Sequence, residues 1–102
     1  MIKLSLIIAV YNAKKTIRHV VETAKLVPEI KEIIVVDDGS TDGSRDVIRT
    51  IAGIRRLYHK ANFGKGRTIV DGLKSAKHDT VLLIDDDLRS LGVHHIRALI
   101  YT

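Results

Sequence analysis

There is no cysteine in this chain, which excludes disulfides and thiolate metal sites and fits a reducing compartment, with the cytoplasm as the expected location. Aromatic residues are scarce, three tyrosines and one phenylalanine, and none interleaves with a basic run. The stacking platform that single-strand nucleic-acid binders use is therefore missing, and nucleic acid is not an expected partner. Nothing approaches the roughly 20 consecutive apolar residues of a membrane span. The apolar stretch Leu4 to Val10 behind Lys3 does not read as a secretory signal either, because Tyr11-Asn12 and an amphipathic segment follow it directly with no small-residue cleavage site.

What is present suits one small domain over residues 1–102. A hydrophobic share of 45% in 102 residues is ordinary for a chain that buries a single core. The net charge is +5, with basic residues gathered at Lys14, Lys15, Arg18 and His19 and again from Arg55 to Arg67. That balance favours anionic partners, although charge alone does not separate a phosphate or a membrane surface from a solvated basic face.

The most informative stretch runs from Glu32 to Ser44. Ile33-Ile34-Val35-Val36 has no polar alternation, so both faces of that strand are covered, the pattern of a central parallel strand flanked by helices. It stops at Asp37-Asp38 and a turn-forming cluster, Gly39-Ser40-Thr41-Asp42-Gly43-Ser44. Ligands of open α/β sheets bind at the carboxyl ends of strands, and Gly39 and Gly43 permit close approach of backbone and ligand.

Strand and helix alternate along the rest of the chain. Lys3 to Val10 is a first strand ending at Tyr11-Asn12. From about Ala13 to Lys25, Ile17, Val20, Val21 and Ala24 recur at helical spacing, and Pro28 ends that helix. After the central strand, Ser40 or Thr41 is placed to cap a second helix with Val47, Ile48 and Ile51 facing inward and Gly53 closing it. Arg55 to His59 suits an edge strand. The glycine-rich basic loop Lys60 to Arg67 opens a third helix whose expected buried stripe is Ile69, Val70, Leu73 and Ala76. Thr80 to Ile84 is a second apolar strand, ending at Asp85-Asp86-Asp87. The order β-α-β-α-β-α-β implies a Rossmann-like three-layer α/β/α fold with a mainly parallel sheet and right-handed crossovers. Tyr11-Asn12, Asp37-Asp38, the glycine loop and Asp85 to Asp87 then share one edge.

Asp85 and Asp87 are two apart, so in extended chain they point to the same side and suit a hard divalent cation, Mg²⁺ or Mn²⁺, with Asp86 pointing away. The carboxylates at the two strand ends would repel one another unless a cation or a donor-rich ligand met them. Backbone N–H groups of the glycine loop, the helix start behind it, Lys65 and Arg67 offer an anion site. Gly64 and Gly66 equally serve a tight turn, and Lys65 and Arg67 equally suit a solvent-facing role. Asp42, at a helix start, reads as a cap. His94 and His95 follow the acidic motif, but adjacent histidines project in different directions, and neither is assigned as a ligand.

Val10-Tyr11-Asn12, Ile34 to Asp42, Asn62-Phe63-Gly64-Lys65-Gly66 and Leu83 to Leu88, in that order, resemble the successive motifs of family 2 glycosyltransferases, and within them most nearly the polyprenyl-phosphate hexose transferases. The resemblance covers nearly the whole chain. It implies the GT-A fold, whose N-terminal half binds a nucleoside-diphosphate sugar and whose Asp-x-Asp motif holds a metal on the diphosphate. By resemblance, Val10, Tyr11, Asn12, Asp37, Asp38, Gly39, Lys65, Arg67, Asp85 and Asp86 form the nucleotide-sugar site. Tyr11 and Asp38 lie near a uracil or guanine base, Asp37 supports that loop, Asp85 approaches the ribose, sugar or metal, and Asp87 is the direct metal ligand.

Ala9 stands where the family often has proline, and His78 where it often has glycine; neither touches the implied chemistry. Length is the larger departure. The carboxylate that deprotonates the acceptor in inverting members lies well beyond the metal motif, in an acceptor-binding half that this chain lacks. The chain thus reads as a donor-binding half incomplete at its C-terminus, with an acceptor such as a polyprenyl phosphate at the cytoplasmic membrane face. The alternative is a non-catalytic nucleotide-binding or oligomerisation module on the same fold. A receiver-like domain needs further strands, and a haloacid-dehalogenase-type phosphatase carries Asp-x-Asp after its first strand rather than its fourth. Val81, Leu83, Ile96, Leu99 and Ile100 are expected to expose apolar surface, so self-association is expected, with a second copy as cover.

Overall fold

The computed structural model describes residues 3–85 and 99–101. Five strands, β1 (Leu4–Val10), β2 (Ile30–Asp37), β3 (Arg55–Tyr58), β4 (Thr80–Asp85) and β5 (Leu99–Tyr101), form one sheet in the order β3-β2-β1-β4-β5. The first four are parallel, and β5 runs antiparallel to β4. β1 and β2 are central because their β-branched and leucine residues are apolar on both faces, and Leu6, Ile8, Ile34, Val35 and Val36 are wholly buried. β3, carrying Arg55 and Arg56, lies at the edge as its charge requires.

Helices α1 (Ile17–Ala24), α2 (Ser44–Arg49) and α3 (Lys65–Ser75) join the parallel strands. Alternate strand residues divide into two cores, as the two-residue period of a strand dictates. One core sets Leu6, Ile8, Val10, Ile33, Val35, Leu82 and Ile84 against Ile17, Val20, Val21, Ala24, Ile48 and Ile51 of the α1/α2 side. The other gathers Ile7, Ile34, Val36 and Val81, with Leu57, Ala76 and Leu83 partly buried beside them. A Cβ on Gly72 of α3 would lie 2.6 Å from Ile7 Cγ2, which places α3 on this second face. The arrangement is the Rossmann-like, three-layer α/β/α fold with a mainly parallel sheet that the element order implies.

Several local expectations are corrected. Neither Ser40 nor Thr41 caps α2; Gly43, at φ 98°, is the cap residue, and the Ser44 N–H bonds to Asp42 Oδ1 at 2.9 Å. Asp42 therefore does serve the helix start. α1 ends at Ala24, ahead of Pro28, and Gly53 sits beyond the end of α2 in the turn leading to β3. In α3 the buried residues are Thr68 and Gly72, while Val70 and Leu73 are exposed. The helix presents its smallest residue to the sheet, which rolls the larger apolar side chains outward. Val81 is buried rather than exposed, and β4 gains a neighbour in β5, which strand periodicity had not revealed. Ile96 lies outside the described residues.

Candidate nucleotide-binding site

Parallel pairing brings the strand ends together. Val10 is in register with Asp37, Ala9 with Asp85, and Asp37 with Tyr58. The pairing continues past the strands, with the Asp38 N–H donating to Val10 O and the His59 N–H to Asp37 O, both at 2.8 Å. Tyr11 is 47% exposed on this rim. Asn12 adopts φ 54°, the left-handed region that asparagine tolerates. Its N–H donates to Ser40 Oγ at 2.9 Å, and its Oδ1 accepts from the Thr41 N–H at 2.8 Å. The Ala13 N–H reaches Ser44 Oγ and the Lys14 N–H reaches Asp42 Oδ2. The loops after β1 and β2 are therefore laced by polar side chains. Burial disfavours the charged form of Asp42, but hydrogen bonds from Ser44 and the Lys14 N–H outweigh it and hold the carboxyl below its usual range.

Asp37 and Asp38 part company. Asp37 is wholly buried; its Oδ2 accepts from Arg45 Nε (3.2 Å), an Arg45 terminal nitrogen (3.1 Å) and the Ser40 N–H (3.2 Å). The same guanidinium donates to His59 O at 2.5 Å. Asp37 Oδ1 is buried without a partner among the described residues. Asp38, 5% exposed, turns to the glycine loop. Its Oδ1 meets His59 Nδ1 at 2.8 Å and the Phe63 N–H at 2.9 Å, and its Oδ2 accepts from the Gly64 N–H at 2.9 Å. Burial works against ionisation of Asp38, but these three donors prevail and hold its carboxyl below the usual range. A carboxylate has about four acceptor positions, so Asp38 keeps one beyond these three.

The close approach that Gly39 permits is to the chain itself. At φ +76°, a Cβ there would stand 2.5 Å from the Ala61 carbonyl carbon, so only glycine lets the 60–64 segment cross the end of β2. Gly64, at φ 99°, delivers that segment into α3, whose first turn has no side-chain cap. Arg67 is mostly exposed, with Nε 3.2 Å from Asp71 Oδ2 and its guanidinium 5.1 Å from the Phe63 ring centroid. Lys65 is exposed at the same helix start.

His59, Asp71 and Arg45 are site residues that the sequence reading missed. His59 is 8% exposed and bridges Asp38 to Asp71, with Nε2 2.7 Å from Asp71 Oδ2. The hydrogen bond from His59 chiefly holds the Asp71 carboxyl below its usual range, burial opposing and Arg67 reinforcing. Only the i,i+4 spacing of Arg67 and Asp71 left a trace in the sequence. The backbone of Asp85 reaches the shared edge; Asp86, Asp87, His94 and His95 lie outside the described residues. Among the described residues no group of three His, Cys, Asp or Glu side chains is placed to hold a metal.

A mainly parallel α/β sheet whose carboxyl edge carries an exposed tyrosine, an aspartate held by three partners and a glycine-rich loop opening a helix is a Rossmann-like unit with its candidate site at that edge. The model of glycosyl transferase family 2 matches residues 5–92, and the chain belongs to that family. An undecaprenyl-phosphate 4-deoxy-4-formamido-L-arabinose transferase of Yersinia pestis is 29% identical over 97 residues, covering 86% of this chain and 30% of that protein. Glucosyl-3-phosphoglycerate synthase of Mycobacterium tuberculosis, crystallised with Mn²⁺, UDP and glucosyl-3-phosphoglycerate, superposes with a TM-score of 0.73 at 31% identity over 89% of this chain and 36% of that one. A mannosyltransferase of Pyrobaculum calidifontis shares the fold, with a TM-score of 0.77 at 22% identity over 83% of this chain and 27% of its own. The chain spans about 30% of the length of the curated relatives it matches.

Proposed function

We propose that this chain forms the donor-binding part of a glycosyltransferase that takes a hexose from a nucleoside-diphosphate sugar. The observation that carries this reading is the convergence of Tyr11, Asp38 and the Phe63-Gly64 loop on one sheet edge, tied by hydrogen bonds from the loop to Asp38. In this reading the base lies against Tyr11 and the remaining acceptor position of Asp38, while Asp37 holds the turn through the Ser40 N–H and Arg45. The diphosphate meets the α3 start with Lys65 and Arg67. Asp85 and Asp87 hold Mg²⁺ or Mn²⁺, which when bound supplies charge neutralisation for the leaving diphosphate; the Mn²⁺ in the mycobacterial relative supports that assignment. The name of the Yersinia relative supports a polyprenyl phosphate as acceptor class, met at a membrane surface. No helix among the described residues is long and apolar enough to cross a membrane.

The binding test is calorimetry with UDP and GDP, with Mn²⁺ and with EDTA. Tighter binding with Mn²⁺, abolished by Asp87→Ala with the fold intact, is the expected result. Equal affinity in both conditions removes the metal assignment. The isolated chain is expected to bind donor without appreciable transfer, because an unplaced acceptor loses the roughly 10²- to 10⁴-fold that a general base contributes. Acceptor-dependent release of nucleoside diphosphate by a monodisperse monomer would overturn the half-site reading.

A further inference from the structure

We propose that His59 is a positioning residue that ties the base end of the site to its phosphate end. Four side chains stand in one line. Asp38 closes on the Phe63 and Gly64 amides, His59 stands between Asp38 and Asp71 at 2.8 and 2.7 Å, and Asp71 holds Arg67 Nε at 3.2 Å. Ionised carboxylates only accept hydrogen bonds, so each imidazole nitrogen can anchor one of them, and one rigid ring sets both. The ring is itself held. Its backbone N–H donates to Asp37 O, its carbonyl accepts from Arg45, and the Phe63 ring lies against it with centroids 5.1 Å apart. Arg67 in turn lies over Phe63, the residue whose amide Asp38 fixes. Base recognition at Asp38 and phosphate recognition at Arg67 are thus joined by a closed circuit in which the imidazole ties the two carboxylates together. This inference rests on the donor-binding reading above and adds to it a residue that contacts neither end of the ligand.

Two substitutions separate the two halves of the ring. His59→Asn leaves an amide nitrogen near the place of Nδ1, and His59→Gln leaves one near the place of Nε2. In the ligand-free protein, amide hydrogen exchange at Phe63 and Gly64 should stay near wild type in His59→Asn. In His59→Gln it should quicken about tenfold or more, the loss of a hydrogen bond to a charged group. The Arg67 Nε–H resonance should behave oppositely, persisting in His59→Gln and exchanging away in His59→Asn and in Asp71→Asn. Binding adds a third reading. His59→Gln should weaken uridine and UDP alike by about tenfold, and His59→Asn should weaken UDP while sparing uridine. A side chain that merely filled space would make the two variants alike, and identical behaviour in exchange and resonance overturns the inference. If wild type binds neither uridine nor UDP, the donor-binding reading fails, while the two ligand-free measurements still decide whether His59 joins Asp38 to Arg67.

Discussion

The two faces of the sheet are built on different terms. On the α1/α2 face, seven strand residues meet five helical side chains and Ile51 just beyond α2, all buried, and the helices touch the sheet through Ile17, Val20, Val21 and Ile48. On the α3 face, four buried strand residues lie under one helix that approaches through Gly72 and Thr68 and leaves Val70 and Leu73 exposed. The adjacent aspartates divide the same way, Asp37 tied back to α2 through Arg45 and Asp38 tied across to the glycine loop and α3 through His59 and Asp71. One face carries apolar packing. The other carries the glycine loop, held by hydrogen bonds that run from the Phe63 and Gly64 amides through Asp38 and His59 to Asp71.

The largest effect expected from this division is on the packed face. Ile17→Ala removes a wholly buried side chain from the first turn of α1 and should cost about 2 to 5 kcal/mol in urea denaturation. A loss under about 1 kcal/mol would mean that the α1/α2 face collapses around cavities and is no better packed than the α3 face.

On the polar face the expected signal lies in binding and in acid. Asp38→Ala should weaken nucleotide binding by about 1.5 to 3 kcal/mol; unchanged affinity would place the base elsewhere on the edge. The native carboxyls of Asp38 and Asp71 are held below their usual range. The unfolded state therefore binds their protons first as pH falls, and the stabilisation is present in full above the ordinary carboxylate value of about 4. It is lost as pH drops through the lower native values. Exchange protection of the Phe63 and Gly64 amides should fade in that acid window, before the α1/α2 core opens, and simultaneous loss of both would erase the distinction between the faces.

Gly72→Ala sets two effects of similar size against each other. Alanine is favoured over glycine in a helix by about 1 kcal/mol. The new Cβ would fall 2.6 Å from Ile7 Cγ2, in a side chain only 1% exposed and so unable to swing away. Overpacking of this kind costs about 1 to 3 kcal/mol, so a net loss near 1 kcal/mol is expected. A gain would show that α3 rides further from the sheet.

What was legible in the sequence follows the same line. β1, β2, β4 and α1 announced themselves because their apolar runs and helical spacing are direct consequences of burial, and the convergence of strand ends follows from parallel pairing. α3 misled because its closest contact is made by Gly72, which carries no hydrophobic signal. The start of α2 misled because Asp42 acts through the Ser44 amide from beyond the cap position. The Asp38–His59–Asp71 line joins residues 21 and 12 positions apart, and no periodicity encodes such a tie.

The smallest expected effect tests the roll of α3. Helical spacing places Val70 and Leu73 on a buried stripe, whereas the structure leaves them 45% and 37% exposed. Full burial of such a side chain is worth about 1.5 to 3 kcal/mol, and a lysine forced into that place would lose this and add an unpaired charge. On an exposed face the same substitution is within about 0.5 kcal/mol of neutral. Lysine and leucine have nearly equal helix propensity, and lysine exceeds valine by a few tenths of a kcal/mol. Leu73→Lys should therefore leave stability unchanged, and Val70→Lys should raise it slightly. Sedimentation of the double variant beside the parent reports on self-association independently. A loss above about 2 kcal/mol in either single variant would return these side chains to the sheet and make the two faces alike.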